Sequence, residues 1–255
     1  MRQFLTGQAP GGATSGERPL RIMLRKLLSH SMMSTDDQRA LENLPFTLRT
    51  LEANDYILRE GSRAEACPIL LSGFAFRQKH SAEGGRQIVA LKTPGDPLDL
   101  QSLFLDRADH NLQALTAVQL ASVPHRAWDR LIATRPGIAR AVMIDTLVEA
   151  SIGREWLLNI GRRNAKARVA HFLCELVYRL ERVASRKIGA LEVPLTQEQL
   201  ADLMGLTPVH INRTLKALEA DGGVARVARR LHIARLDRLA DIANFSALYL
   251  HGLAA

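Results

Sequence analysis

Cysteine is almost missing from this sequence, with Cys67 and Cys174 the two thiols in 255 residues. Thiols so far apart fit no metal spacing, cannot ligate an iron–sulfur cluster unaided, and suit a reducing compartment. A membrane span is missing as well, since no apolar run approaches the ~20 residues that a bilayer requires. The opening stretch, Met1 to Pro19, is rich in Gly, Pro, Thr and Ser and lacks the apolar centre of a signal peptide. It reads as a disordered tail over residues 1–20, or as a start placed too early, on a cytoplasmic protein without membrane contact. Catalytic signatures are also absent. No His-x-His occurs between residues 46 and 123, so a cupin-like metal site has no scaffold. There is no Gly-rich phosphate loop carrying Lys, and no Ser in a nucleophile elbow. These absences argue against an enzyme, and no metal or cofactor is expected.

What the chain does have is basic charge, unevenly spread. Of a net +8, residues 161–255 hold 15 Lys/Arg against 9 Asp/Glu, whereas residues 1–160 hold 19 against 17. A basic domain joined to a near-neutral one suggests a polyanion partner, most commonly nucleic acid; on charge alone, a solvated basic surface is the alternative. The apolar content of 47% is ordinary for a globular chain of one large or two smaller domains.

Residues 21–44 have a helical, amphipathic pattern that ends before Pro45. From Phe46 to Val123 the texture changes to short apolar runs broken by Gly61, Gly73, Gly84-Gly85 and Pro94-Gly95. Segments such as Pro68–Leu71, Ala75–Gln78 and Gln87–Lys92 then read as strands of an antiparallel sandwich or roll, with Glu83-Gly84-Gly85 a hairpin turn. Ile138 to Ile160 is a long segment without Pro whose apolar residues cover more than one helical face. One face can lie on the roll and the other can pair with a second copy. Ile138, Val142, Val148, Ile152 and Trp156 are the expected dimer contacts, with burial inside one subunit as the alternative. A following helix, about Arg163 to Arg182, opens with Arg162, Arg163, Lys166 and Arg168. Cations oppose the helix dipole at that end, and a phosphate backbone is one candidate for what favours them.

The most informative stretch is Leu195 to Ala220. Thr196 followed by Gln199 makes a capping box, and Leu195 with Leu200 a hydrophobic staple, so a helix should start at Gln197 and run to Met204. Gly205 can end it in the left-handed conformation. Thr207 repeats the N-cap, Pro208 fills the first helical position, and a second helix runs to about Ala220. Two capped helices across a Gly turn make a helix-turn-helix, with Ala201 small at the crossing and Leu200, Met204, Ile211 and Leu215 as the shared wedge. Val224–Ala228, Arg229-Arg230 and Leu231–Ala234 then read as a wing with a basic tip. A plain helical hairpin is the structural alternative.

In such a motif the second helix enters the major groove, and its first residues reach base edges. The candidates are Pro208, Val209, His210, Asn212 and Arg213. Arg213 leads, because Arg pairs bidentately with guanine, while Val209 offers apolar contact to a thymine methyl. Thr196, Thr207, Lys216, Arg226, Arg229 and Arg230 are the candidate phosphate contacts that set register.

These residues and the order of parts resemble the Crp/Fnr family, the relatives of the cyclic-AMP receptor protein, over about residues 21–245. In the roll, Leu70–Gly73, Gly84–Ile88 and Pro94–Asp96 look like that family's turns. The resemblance implies an α+β fold: an antiparallel β-roll sensor over 21–136, a dimerisation helix over 137–160 and a winged helix-turn-helix over 161–255. It implies a homodimer on double-stranded DNA, at an inverted repeat with half-sites roughly 10 base pairs apart. RNA polymerase is the further partner expected of a promoter-bound regulator.

Three departures from the family qualify that picture. Its cyclic-nucleotide members carry a Gly-Glu pair after the Pro-Gly-Asp turn and an Arg-Ser pair about ten residues on. Here the corresponding candidate effector pocket reads Asp99-Leu100 and His110-Asn111. Leu100 cannot accept a ribose hydroxyl, and His110 is a poor substitute for a permanent cation. The tail has no cysteine cluster for iron–sulfur sensing. Val209 stands where many members place a Glu, which implies a different operator. An unidentified small effector, no effector, haem through His80 or His110, and a redox response through Cys174 all remain open. Architectural DNA binding without base readout is the alternative in kind.

Overall fold

The computed structural model describes residues 18–188, 191–228 and 230–253. Most of the expected tail (residues 1–17) and Arg229 lie outside the described residues. The tail boundary moves forward, because Leu20 is fully buried and Arg18 donates to the Asn43 side chain at 2.9 Å.

The amino-terminal segment forms two helices, α1 (Arg21–Leu28) and α2 (Thr35–Glu42), rather than one. The cause is local. Ser34 is extended, and its hydroxyl accepts from the Asp37 N–H, so a new helix starts there with two acids in its first turn. Strands β1 (Thr47–Leu51), β2 (Tyr56–Leu58), β3 (Ala66–Ser72), β4 (Ala75–His80) and β5 (Arg86–Lys92) follow, then a 3-10 turn at Leu100–Leu103, β6 (Asn111–Ala114) and β7 (Val118–Pro124). They pair antiparallel into two sheets, β1-β7-β3 and β2-β6-β4-β5, which close the roll. The hairpin turn between β4 and β5 carries Gly84 at φ +82°, as its sequence requires.

Strand β3 is apolar almost throughout because both its faces are covered. Leu70 points into the roll with Leu112 and Leu120, while Cys67, Ile69 and Leu71 pack against α1 and α2. The outer face of β4–β5 behaves differently: Phe76, Ile88 and Leu91 join one apolar cluster with helices from the carboxy-terminal half.

Helix α3 (His125–Thr134) leads into α4 (Pro136–Arg162), opened by a proline at its first position, and then α5 (Ala165–Ala184). The break between α4 and α5 falls at Arg163, which is extended, and Asn164 caps α5 by accepting from Ala167 N–H. The winged unit follows: α6 (Gln197–Met204), α7 (Pro208–Ala220), β8 (Val224–Val227), β9 (Arg230–Ile233) and α8 (Leu236–Ala243), then a 3-10 turn at Leu248–Leu250. The expected α+β architecture of roll, long helix and winged helix-turn-helix is therefore what the chain adopts. Among the described residues no helix is long and apolar enough to cross a membrane.

The expected dimer contacts do not lie where the helix pattern suggested. Ile138 and Val142 are buried against Trp128, α1 and α2, Trp156 is buried against α5, Val148 is buried and Ile152 is half-buried. They form the face of α4 that serves its own chain. The uncovered face carries Met143, Leu147, Ala150, Arg154 and Leu157, spaced alternately by four and three residues. Leu147 is 59% and Leu157 73% exposed.

Candidate nucleic-acid interface

The helix-turn-helix is built by its caps. The Thr196 hydroxyl accepts from Gln199 N–H at 3.1 Å, and the Gln199 side chain accepts from Thr196 N–H at 2.9 Å. Gly205 ends α6 in the left-handed conformation, φ +62°, where a side chain would cost strain. The Thr207 hydroxyl then accepts from His210 N–H at 3.2 Å and starts α7. Leu200, Ala201, Met204, Ile211 and Leu215 are all buried at the crossing, so the second helix stands at an angle fixed by packing.

Of the four cations near the start of α5, Arg162 is exposed, and the other three make contacts within the chain. Arg168 donates to the Met204, Ile160 and Arg163 carbonyls, which closes the carboxy-terminal ends of α6 and α4. Arg163 pairs with Glu155 at 2.6 Å, and Lys166 pairs with Asp221. These contacts offset the unfavourable helix dipole for those three cations.

On the outward face of α7, Val209, Arg213 and Lys216 form a stripe at helical spacing. Val209 is 80% exposed; Arg213 and Lys216 are exposed and make no ion pair among the described residues. Pro208 and Thr207 are exposed at the same end, and His210 is half-buried. Asn212 is less free than its position suggested, since its amide donates to the Gln197 side chain at 2.9 Å and so ties α7 to the start of α6. Thr196 and Thr207 use an oxygen lone pair for capping, which leaves each hydroxyl proton for an outside acceptor. On the wing, Arg230 pairs with Glu192 at 2.8 Å and stays exposed. Arg226 is half-buried, with its Nη2 covered and unpartnered among the described residues. A phosphate contact there requires the side chain to swing outward.

The roll interior is charged, and several of its charges are paired with one another. Lys92, fully buried on β5, pairs with Glu149 of α4; Arg77 of β4 reaches Glu149 at 3.4 Å and donates to the Leu98 carbonyl at 2.6 Å. Burial would raise the Glu149 pKa, but Lys92, Arg77 and Lys26 hold it well below the usual carboxylate range. Of the candidate effector residues, Asp99 is buried, and neither of its oxygens has a hydrogen-bond partner among the described residues. His110 is buried too, with Nδ1 2.8 Å from Asp109, and burial lowers its pKa. Leu100 begins the 3-10 turn, and Asn111 accepts from Glu60 N–H. Both cysteines are buried, and burial pushes each thiol up to about 12, far from thiolate reactivity at neutral pH.

Two family models match this chain. Residues 48–135 fit the cyclic nucleotide-binding domain, and residues 167–242 fit the Crp-like helix-turn-helix domain. Among curated proteins, the chain is 24% identical over 204 residues to the transcriptional activator protein FnrL of Cereibacter sphaeroides, covering 77% of this chain and 79% of the relative. It is 32% identical over 158 residues to the nitrogen fixation regulation protein FixK of Bradyrhizobium diazoefficiens, covering 61% and 65%. The chain belongs to the Crp/Fnr family. It is a DNA-binding transcription regulator of that type. Among solved structures, FixK2 from Bradyrhizobium japonicum superposes with a TM-score of 0.70 at 24% identity, covering 78% of this chain and 98% of that one. That likeness extends the Crp/Fnr fold to the roll, the long helix and the winged unit together.

Proposed function

We propose that this Crp/Fnr regulator binds an inverted-repeat operator as a homodimer, reading bases with Arg213 and Val209 and holding phosphates with Thr196, Thr207, Lys216 and Arg230. The observation that carries the reading is the stripe on α7, exposed and without an ion pair among the described residues, next to two capped helix starts. The second copy is supported by Met143, Leu147 and Leu157 on the uncovered face of α4. Their alternation of four and three residues is the seam pattern of paired helices. RNA polymerase is the partner that a promoter-bound dimer would meet.

We further propose that DNA binding needs no added effector. Arg77 and Lys92, the cations best placed inside the roll to hold an anionic ligand, share the Glu149 carboxylate, so both are already engaged within the protein. No catalytic step, haem or redox response forms part of this reading.

Selection of binding sites from random duplex DNA, with purified protein and no ligand, tests both parts. A palindrome with half-sites one helical turn apart is the expected product. Enrichment of single, unpaired half-sites would remove the dimer. No enrichment at all without a cell extract, but a palindrome with one, would restore the effector.

A further inference from the structure

After α8 the chain turns back through Asn244, which is left-handed at φ +46°, and runs away from the winged unit. Tyr249 lies across His171 of α5, ring centroids 5.6 Å apart, and its hydroxyl donates to Glu175 at 2.8 Å. Glu175 is buried; it also accepts from the Trp156 indole at 3.0 Å and pairs with Arg179 at 3.5 Å. The other side of Arg179 meets Asp96 of the roll at 2.9 Å, and Asp96 holds Lys26 of α1 at 2.8 Å. A second tie runs in parallel. Arg182 of α5 donates to the Leu250 carbonyl at 3.1 Å and to the Ser29 carbonyl, while Leu253 N–H also donates to Ser29 at 3.0 Å. Gly252 lies close against this contact: a Cβ there would come within 2.9 Å of the Arg182 guanidinium carbon and push the end of that side chain aside.

Helix α5 is the element these ties share. Its apolar side, Val169 to Leu180, packs in one cluster with α6, α7 and α8. Whatever fixes α5 relative to the roll and α1 therefore fixes α7 as well. Paired buried charges and hydrogen bonds are directional, and setting a unique register is their best-attested use.

We propose that residues 246–253 form a strap, with Tyr249 and Arg182 as positioning residues, that sets the angle of the DNA-binding unit and so the half-site spacing the dimer accepts. The proposal rests on the dimeric reading, and neither residue lies on the α7 stripe.

The test uses the palindrome recovered from random DNA, remade with its half-sites moved apart by one, two and five base pairs, plus a single half-site as control. Affinities are measured for the full chain, for a chain lacking residues 246–255, and for Tyr249→Phe and Arg182→Met, which keep the packing volume if the deletion does not fold. The full chain should weaken at least tenfold when the half-sites are displaced. Each strap variant should lose about tenfold of that discrimination, the scale of one hydrogen bond to a charged group, while binding the single half-site as the full chain does. Variants that keep the full chain's spacing preference would overturn the strap and leave the dimer standing. A full chain indifferent to spacing would overturn the dimer, and the strap with it.

Discussion

Arg213, like Lys216 beside it, has no ion pair among the described residues, unlike several cations around α5 and the wing. Arg163, Lys166 and Arg168 are engaged in ion pairs or carbonyl contacts, and Arg230 is shared with Glu192. Truncating Arg213 to Ala should therefore cost about 1–3 kcal/mol against the preferred operator at one base pair and little on scrambled DNA. Lys216→Ala should weaken both alike and reduce the salt slope of binding by about 1. Equal losses for Arg213→Ala on both DNAs would remove its base-reading role. His171 permits a prediction about stability. Burial, with the charge of Arg163, lowers its pKa from 6.5 to about 4, although Glu155 pulls the other way. The folded chain then binds fewer protons than the unfolded chain between those values, so stability is full above about pH 6.5 and falls as pH drops toward 4. The loss approaches about 3 kcal/mol at most. Urea unfolding followed across that range should show the slope, and His171→Gln should reduce it, with His30, whose pKa burial also lowers to about 4, among the sources of the remainder; parallel slopes would refute the assignment. Arg213 was legible in the sequence because two caps fix the register of α7. The hydrogen bond that occupies Asn212 was not, since Gln197 lies on another helix and only packing brings them together.

Single elements show the same division. The caps of α6 and α7 were legible because a Thr, a Gln three residues on, a Gly and a Pro each act within one turn. Thr196→Ala should accordingly destabilise the winged unit by about 0.5–2 kcal/mol, read as a lower unfolding midpoint. The orientation of α4 was not legible. Its apolar residues surround much of the helix, so periodicity alone could not say which face met the roll and which stayed open. The structure divides them, and two substitutions test the division. Ile138→Ala should cost about 2–5 kcal/mol of stability by leaving a cavity, without changing the self-association of the folded chain. Leu147→Glu should do the reverse, giving monomers in sedimentation with little loss of stability per chain. Dimers that survive Leu147→Glu would place the seam elsewhere.

Across the whole molecule, the junction between roll and winged unit was the least legible feature. Lys26, Lys92, Asp96, Glu149, Glu175 and Arg179 are scattered through the sequence, and each looks there like an ordinary surface charge. Folding gathers them into one buried network, and the strap that completes it comes from residues that carry no motif. Apolar contact crosses the same junction, with Phe76, Ile88 and Leu91 of the roll in one cluster with Trp156, α5 and α6. Chains of two domains often unfold in separate steps. Here the shared cluster and network should join the halves into one cooperative unit. The two tryptophans report on this separately, Trp128 from the packing of α1 and α2 on the roll and Trp156 from the junction. In Trp156→Phe and Trp128→Phe chains, each with one tryptophan left, urea transitions by fluorescence and by circular dichroism should coincide within each variant. A Trp156 signal lost at lower urea than the helical signal would mean that the winged unit opens while the roll stays folded. The strap and the network would then be too weak to set the geometry of the DNA-binding unit.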